Sequence, residues 1–213
     1  MRSVVEIRDH LLEDLSFTVF RPSMRSGTAD ATEMVLLHLL CTLAFIDGRE
    51  QEWADAKNTY IRGCRRVCGQ FEFQHRPFPH FVNEVASVYA EVAFKLGYLR
   101  PVRLLRVAEM RGFAATIRTR GFRHRVMTEE NLLGEFGPPS HEVVGGFTKV
   151  ACYGCEDPTV KWVFFDLARQ LPWVNGWLSV PMVRDFRHDV QNRMRLLPIG
   201  LRWVKSLSAE VRE

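Results

Sequence analysis

The chain is poor in lysine and cysteine, has no long apolar run, and lacks any recognisable catalytic signature. Five cysteines (Cys41, Cys64, Cys68, Cys152 and Cys155) are too few, and odd in number, for a disulfide framework. The opening residues, MRSVVEIRDHLLEDL, interrupt every apolar stretch with charge and do not read as a secretory signal. Both features predict a reducing compartment, cytoplasmic with the nucleus as the alternative. The longest uncharged apolar run, Met34 to Ile46, covers about two-thirds of the length a bilayer needs and contains His38. It is expected to be a buried core helix, so no membrane partner is predicted. Gly145-Gly146-Phe147-Thr148-Lys149 lacks the GxxxxGK[ST] spacing of a phosphate loop. Cys155 precedes Asp157, but no base is placed beside it by spacing. With no nucleophile–base pair, the sequence assigns no catalytic residue and leans away from an enzyme.

What remains is an ordinary globular composition. The chain has 213 residues, 46% of them hydrophobic and 25% charged, which excludes wholesale disorder and suits one compact domain spanning 1–213. Apolar spacing predicts a mainly α fold, a compact bundle of about nine helices. Helices are expected over Ser3–Leu15, Ala29–Ile46, Glu50–Cys68, His80–Leu96, Pro101–Met110, Thr128–Phe136, Thr159–Leu171, Val183–Leu197 and Gly200–Ser208. SFTVFRPS, after Leu15, is expected to be extended. One small β-hairpin near residues 114–127 interrupts the helices, and would join an N-terminal helical half, 1–112, to a C-terminal half, 128–213.

The charge is unevenly placed. Arg100, Arg103, Arg106, Arg111, Arg118, Arg120, Arg123 and Arg125 face a single acid, Glu109, whereas the chain as a whole carries a net charge of +4. From Ala114 to Met127 the pattern alternates, and a turn at Arg120-Gly121 would put Ala115, Ile117, Phe122 and Val126 on one face of a hairpin. Arg118, Arg123 and Arg125 would share the other face, with Arg120 at the tip. Arg118 opposite Arg123 is unfavourable unless an anion lies over them. The expected partner is therefore nucleic acid, RNA before DNA, held through its phosphates by Arg103, Arg106, Arg111, Arg118, Arg120, Arg123 and Arg125. Phe113 and Phe122 are the only aromatics in the segment, so backbone contact is expected to outweigh base readout. Size and charge fit a small regulatory protein that sequesters RNA, viral or host, of the silencing-suppressor type.

Two alternatives compete. An acidic protein partner would use the same arginine face, with Trp173 and Trp177 as exposed anchors or, more simply, as core residues. No cofactor is required by the sequence, but zinc is an alternative: Cys152-x2-Cys155 has the spacing of half a site, with His141 or Asp157 as further donors. Cys64-x3-Cys68 with His75 and His80 resembles a zinc set in composition, with a Cys-to-His gap about half that of a usual finger. Buried thiols packing as small hydrophobes explain the same cysteines. Finally, Leu43 to Glu52, LAFIDGREQE, resembles the helix–break–helix of tellurite-resistance-type helical domains. The resemblance covers this stretch alone and carries no residue role or activity with it.

Overall fold

A computed structural model of the chain describes residues 3–58, 80–119, 127–145, 148–160, 162–169 and 177–183. Among these residues are six α-helices: α1 (Val4–Phe20), α2 (Ala29–Ile46), α3 (Glu50–Ala56), α4 (His80–Lys95), α5 (Val107–Thr119) and α6 (Glu129–Phe136). Five strands accompany them: β1 (Met127–Thr128), β2 (His141–Gly145), β3 (Thr148–Tyr153), β4 (Val163–Arg169) and β5 (Trp177–Val183). The expected nine-helix bundle is thus replaced by a mixed α and β architecture. The contacts divide the chain into two compact units: Met1–Arg100 with Val143–Gly146, and Pro101–Glu142 with Phe147–Glu213.

The first unit is helical. Ser3 opens α1 with a reciprocal cap, its Oγ accepting from the Glu6 N–H at 3.2 Å while Glu6 Oε2 accepts from the Ser3 N–H at 2.7 Å. The helix then runs through SFTVF, against the extended expectation. Burial of Leu15, Thr18 and Val19 at helical spacing outweighs the strand preference of this β-branched and aromatic stretch. Thr28 caps α2, which packs on both α1 and α4. Leu36, Leu40 and Leu43 of α2 are fully buried, with Ala86 and Val92 of α4.

The turn between α2 and α3 is fixed by charge. Arg8 grips Asp47 through two hydrogen bonds of 2.7 and 2.9 Å. Arg49 forks onto Glu52, donates to the Leu96 carbonyl at 2.5 Å, and lies over the Tyr98 ring at 5.4 Å. These links tie the start of α1 and the end of α4 to one turn. Along α4 a polar line, Asn83, Ser87, Glu91 and Lys95, recurs every fourth residue. All four side chains are buried, and Glu91 and Lys95 are ion-paired at 2.7 Å.

The second unit is built on the antiparallel strands β1, β5, β4 and β3, which neighbour one another in that order. Its centre is the meander β3–β4–β5, with Thr148 opposite Ala168, Tyr153 opposite Val163 and Arg169 opposite Trp177. β4 occupies much of the Thr159–Leu171 stretch expected to be helical. Asp157 does begin a turn, its carboxylate accepting from the Thr159 N–H and hydroxyl at 2.8 and 2.7 Å, but no helix follows. Phe164, Phe165 and Leu167 are all nearly fully buried, and a short run apolar on both faces does not by itself distinguish helix from strand. The expected Pro101–Met110 helix is also corrected: it starts only at Val107, and Leu105 instead bridges to Cys155.

Sheet and helices enclose one aromatic core. Phe113 of α5 lies 4.1 Å from Phe136 of α6, 5.0 Å from Tyr153 of β3 and 5.7 Å from Phe165 of β4, centroid to centroid. Leu105, Met110, Leu132, Ala151, Cys155 and Leu167 complete it. Met110 and Phe113, three apart, anchor α5 to this core. That anchoring explains the last correction: the first half of the expected hairpin, Ala114–Thr119, continues the helix. Residues 120–126, with Arg120, Arg123 and Arg125, lie outside the described residues, as do Cys64, Cys68, His75, Trp173 and the two helices expected beyond Val183.

Candidate nucleic-acid interface

The described part of the arginine segment is a loop followed by α5, and its arginines have different environments. Arg106 sits at the N-terminal cap of α5, where its N–H donates to Glu109 Oε2 at 2.7 Å. This is half of a capping box, and the backbone hydrogen bond from Arg106 is the main cause holding the Glu109 carboxyl below its usual range. The one acid of the segment therefore closes the helix start. It also meets the Arg106 guanidinium at 3.4 Å, but the Arg106 side chain is 75% exposed, so water screens that pair.

Arg103 is engaged elsewhere. Its Nη1 donates to the Phe136 carbonyl at 3.1 Å and to the Pro138 carbonyl at 3.4 Å. Both acceptors are at the end of α6, where helical carbonyls lack partners and carry partial negative charge. The guanidinium passes directly over Gly137, which has φ of 72° and no side chain to obstruct it. A Cβ there would stand 2.4 Å from Arg103 Nη1. Tyr153 donates from below to the Gly137 carbonyl at 2.9 Å, and burial pushes its phenol pKa up. Arg103 is thus a cap for α6, its guanidinium bonded to carbonyls, with the Glu109 carboxylate acting on it without a hydrogen bond.

Arg111 stands apart. It is exposed on α5 and makes no ion pair among the described residues. Arg118 lies in the same helix seven residues on, about 10 Å further along the axis and near the same angular position. Arg118 thus falls in a helix, where strand alternation had assigned it to a hairpin face. From Pro101 to Thr119 the described chain carries Arg103, Arg106, Arg111 and Arg118 against Glu109.

The metal alternative fares differently at its two halves. Cys64 and Cys68 lie outside the described residues. Cys152 and Cys155 are both fully buried, but Cys155 belongs to the same core as Ala151 and Tyr153, whereas Cys152 alternates to the opposite side of β3. Asp157 is occupied with Thr159. No group of three or more His, Cys, Asp or Glu side chains able to hold a metal occurs among the described residues. Trp177 falls in β5.

One polar cluster escaped the sequence reading. Lys149 Nζ reaches Glu129 Oε1 at 2.5 Å and Glu142 Oε1 at 2.6 Å, with the lysine side chain only 14% exposed. Burial opposes its charge, but hydrogen bonds to Glu129 and Glu142 prevail and raise its pKa. With a lysine held charged between two carboxylates, the cluster is a clamp between α6 and neighbouring strands and offers no base. Residues 129, 142 and 149 share no spacing that would reveal it. The chain matches no known protein family, no curated protein and no solved structure, so the residues themselves carry the functional argument.

Proposed function

We propose that the protein binds nucleic acid, RNA before DNA, through phosphate contacts from the exposed side of α5 and the arginines that follow it in sequence. The observation that carries this reading is Arg111, exposed and without a carboxylate partner among the described residues, in the same helix as Arg118 and beside a Glu109 already engaged as a cap. Arg106 adds a screened charge at the helix start. Arg120, Arg123 and Arg125 extend the basic segment. Arg103 contributes field more than contact, since its donors point at carbonyls. Guanidinium forks suit phosphate oxygens, and the segment offers few aromatic faces for bases, so affinity should come from the backbone with little sequence preference. Sequestering RNA in the cytoplasm or nucleus, with no catalytic step, is the activity this supports.

Binding of the full chain to a fluorescent double-stranded RNA across a salt series tests it. Each phosphate contact contributes about −0.7 to −0.9 to the slope of log K against log salt. Arg111→Ala and Arg118→Ala should each flatten that slope by about one contact while leaving the protein folded. No binding at low salt, or a slope indifferent to both variants, overturns the reading and leaves an acidic protein as the partner of this face.

A further inference from the structure

The exposed side of α2 has a composition that its burial does not explain. This helix was expected to be buried all round, yet only a third of it is, and Met34, His38, Cys41 and Phe45 form an exposed line along it. Met34 and Phe45 are 68% and 69% exposed. No charge occurs between Glu33 and Asp47. The intervals along the line are four, three and four residues, the same read from either end. Under a two-fold axis passing between His38 and Cys41, an antiparallel second copy would set Met34 against Phe45 of the other chain, and His38 against its Cys41. A closed two-fold contact requires such self-complementarity. A thioether against an aromatic ring is a favourable pairing.

The centre of the line is also half of a metal site. Residues three apart on a helix are neighbours, with Cβ atoms about 5–6 Å apart, so one imidazole and one thiolate can address one ion. Neither side chain is engaged by another among the described residues, and both are exposed. A single chain offers two donors where structural zinc takes four, tetrahedrally, and two chains would supply a Cys2His2 set. We propose that α2 is a homodimer face closed by a zinc ion on the two-fold axis, ligated by His38 and Cys41 of each copy and flanked by Met34–Phe45 contacts. One bound ion thus accounts for both the uncovered apolar residues and the incomplete donor set. The occupant is a second copy because the line complements itself and has no charge to recognise a charged partner.

The test is the mass of the full chain in solution, by sedimentation, after chelator treatment and on titration with zinc chloride. The expected result is a doubling of mass complete at half an equivalent of zinc per chain in a Cys64→Ser/Cys68→Ser background, which leaves the exposed Cys41 beside the buried Cys152 and Cys155. Cobalt substituted for zinc should give tetrahedral d–d bands together with thiolate charge transfer. His38→Gln and Cys41→Ser should each leave a folded monomer at any zinc level. Phe45→Glu, at an exposed position, should weaken the dimer while keeping the fold. A mass indifferent to zinc, a zinc-driven dimer that survives Cys41→Ser and His38→Gln, or a chelator-insensitive dimer overturns the proposal. Flotation of the zinc-treated protein with neutral lipid vesicles, abolished by Phe45→Glu, would overturn it in favour of a lipid surface.

Discussion

Replacing Arg103 by alanine separates the capping role seen in the structure from the phosphate role read in the sequence. The bond to the Phe136 carbonyl, at 3.1 Å and partly buried, is of the charged-donor kind, which contributes about 1.5–3 kcal/mol. The bond to the Pro138 carbonyl is long and exposed and adds little. Water reaches the half-exposed Arg103 and can satisfy the vacated carbonyl in part, so the net loss should be about 1–2 kcal/mol. With an m-value of about 3 kcal/mol per molar urea, the midpoint should fall by roughly 0.3–0.7 M. Circular dichroism of the full chain across a urea series reads this directly, and the RNA salt slope of the same variant should stay within error of wild type. Arg111→Ala should behave in the opposite way, with an unchanged midpoint and a flatter slope. A stable Arg103→Ala protein whose slope drops by a full contact would refute the assignment of Arg103 as a helix cap.

Gly137→Ala should cost more than 1 kcal/mol, from the positive φ and the collision with Arg103, and the cost should shrink in an Arg103→Ala background when both are compared by urea midpoint. Phe113→Ala should cost about 3–4 kcal/mol, because it opens a cavity among Phe136, Tyr153 and Phe165, whereas Phe113→Leu should recover much of that in thermal melts. Asp47 has its pKa lowered, chiefly by the Arg8 hydrogen bond and against the effect of burial. Its folded value lies below the unfolded one, so its contribution is present above about pH 4 and lost as pH falls through the folded pKa. Asp47→Asn should therefore be less stable than wild type at pH 7 and converge on it near pH 2–3, in midpoints measured at both.

The sequence revealed α2, α4 and α6 through their apolar spacing, where local and long-range signals agree. It misled where they disagree. SFTVF has strand propensity and yet is helical because Leu15 and Val19 face a core that local preference does not reveal. VFFDLAR follows a good helix start, yet β3 on one side and β5 on the other claim its backbone hydrogen bonds. In the segment from Ala114 the alternation of arginine with apolar residues was genuine, but Met110 and Phe113 had already set a helical phase. The arginines themselves were legible as charge. Their division into a cap at Arg103, a screened pair at Arg106 and an unpaired Arg111 depended on carbonyls and a carboxylate that only folding brings near.

Each compact unit draws on two separate stretches of chain, and this interleaving bears on synthesis at the ribosome. The first unit is complete only once Val143–Gly146 has emerged, and Val143 is fully buried. The second cannot close its sheet until β5 arrives to pair with β1, whose Met127 sits opposite Ser179. A fragment ending at Arg100 would leave the first unit short of a buried piece, and one starting at Pro101 would carry that piece without its setting. Nascent chains halted before Val143–Gly146 has emerged from the ribosome should therefore remain protease-sensitive in the region of α1 to α4.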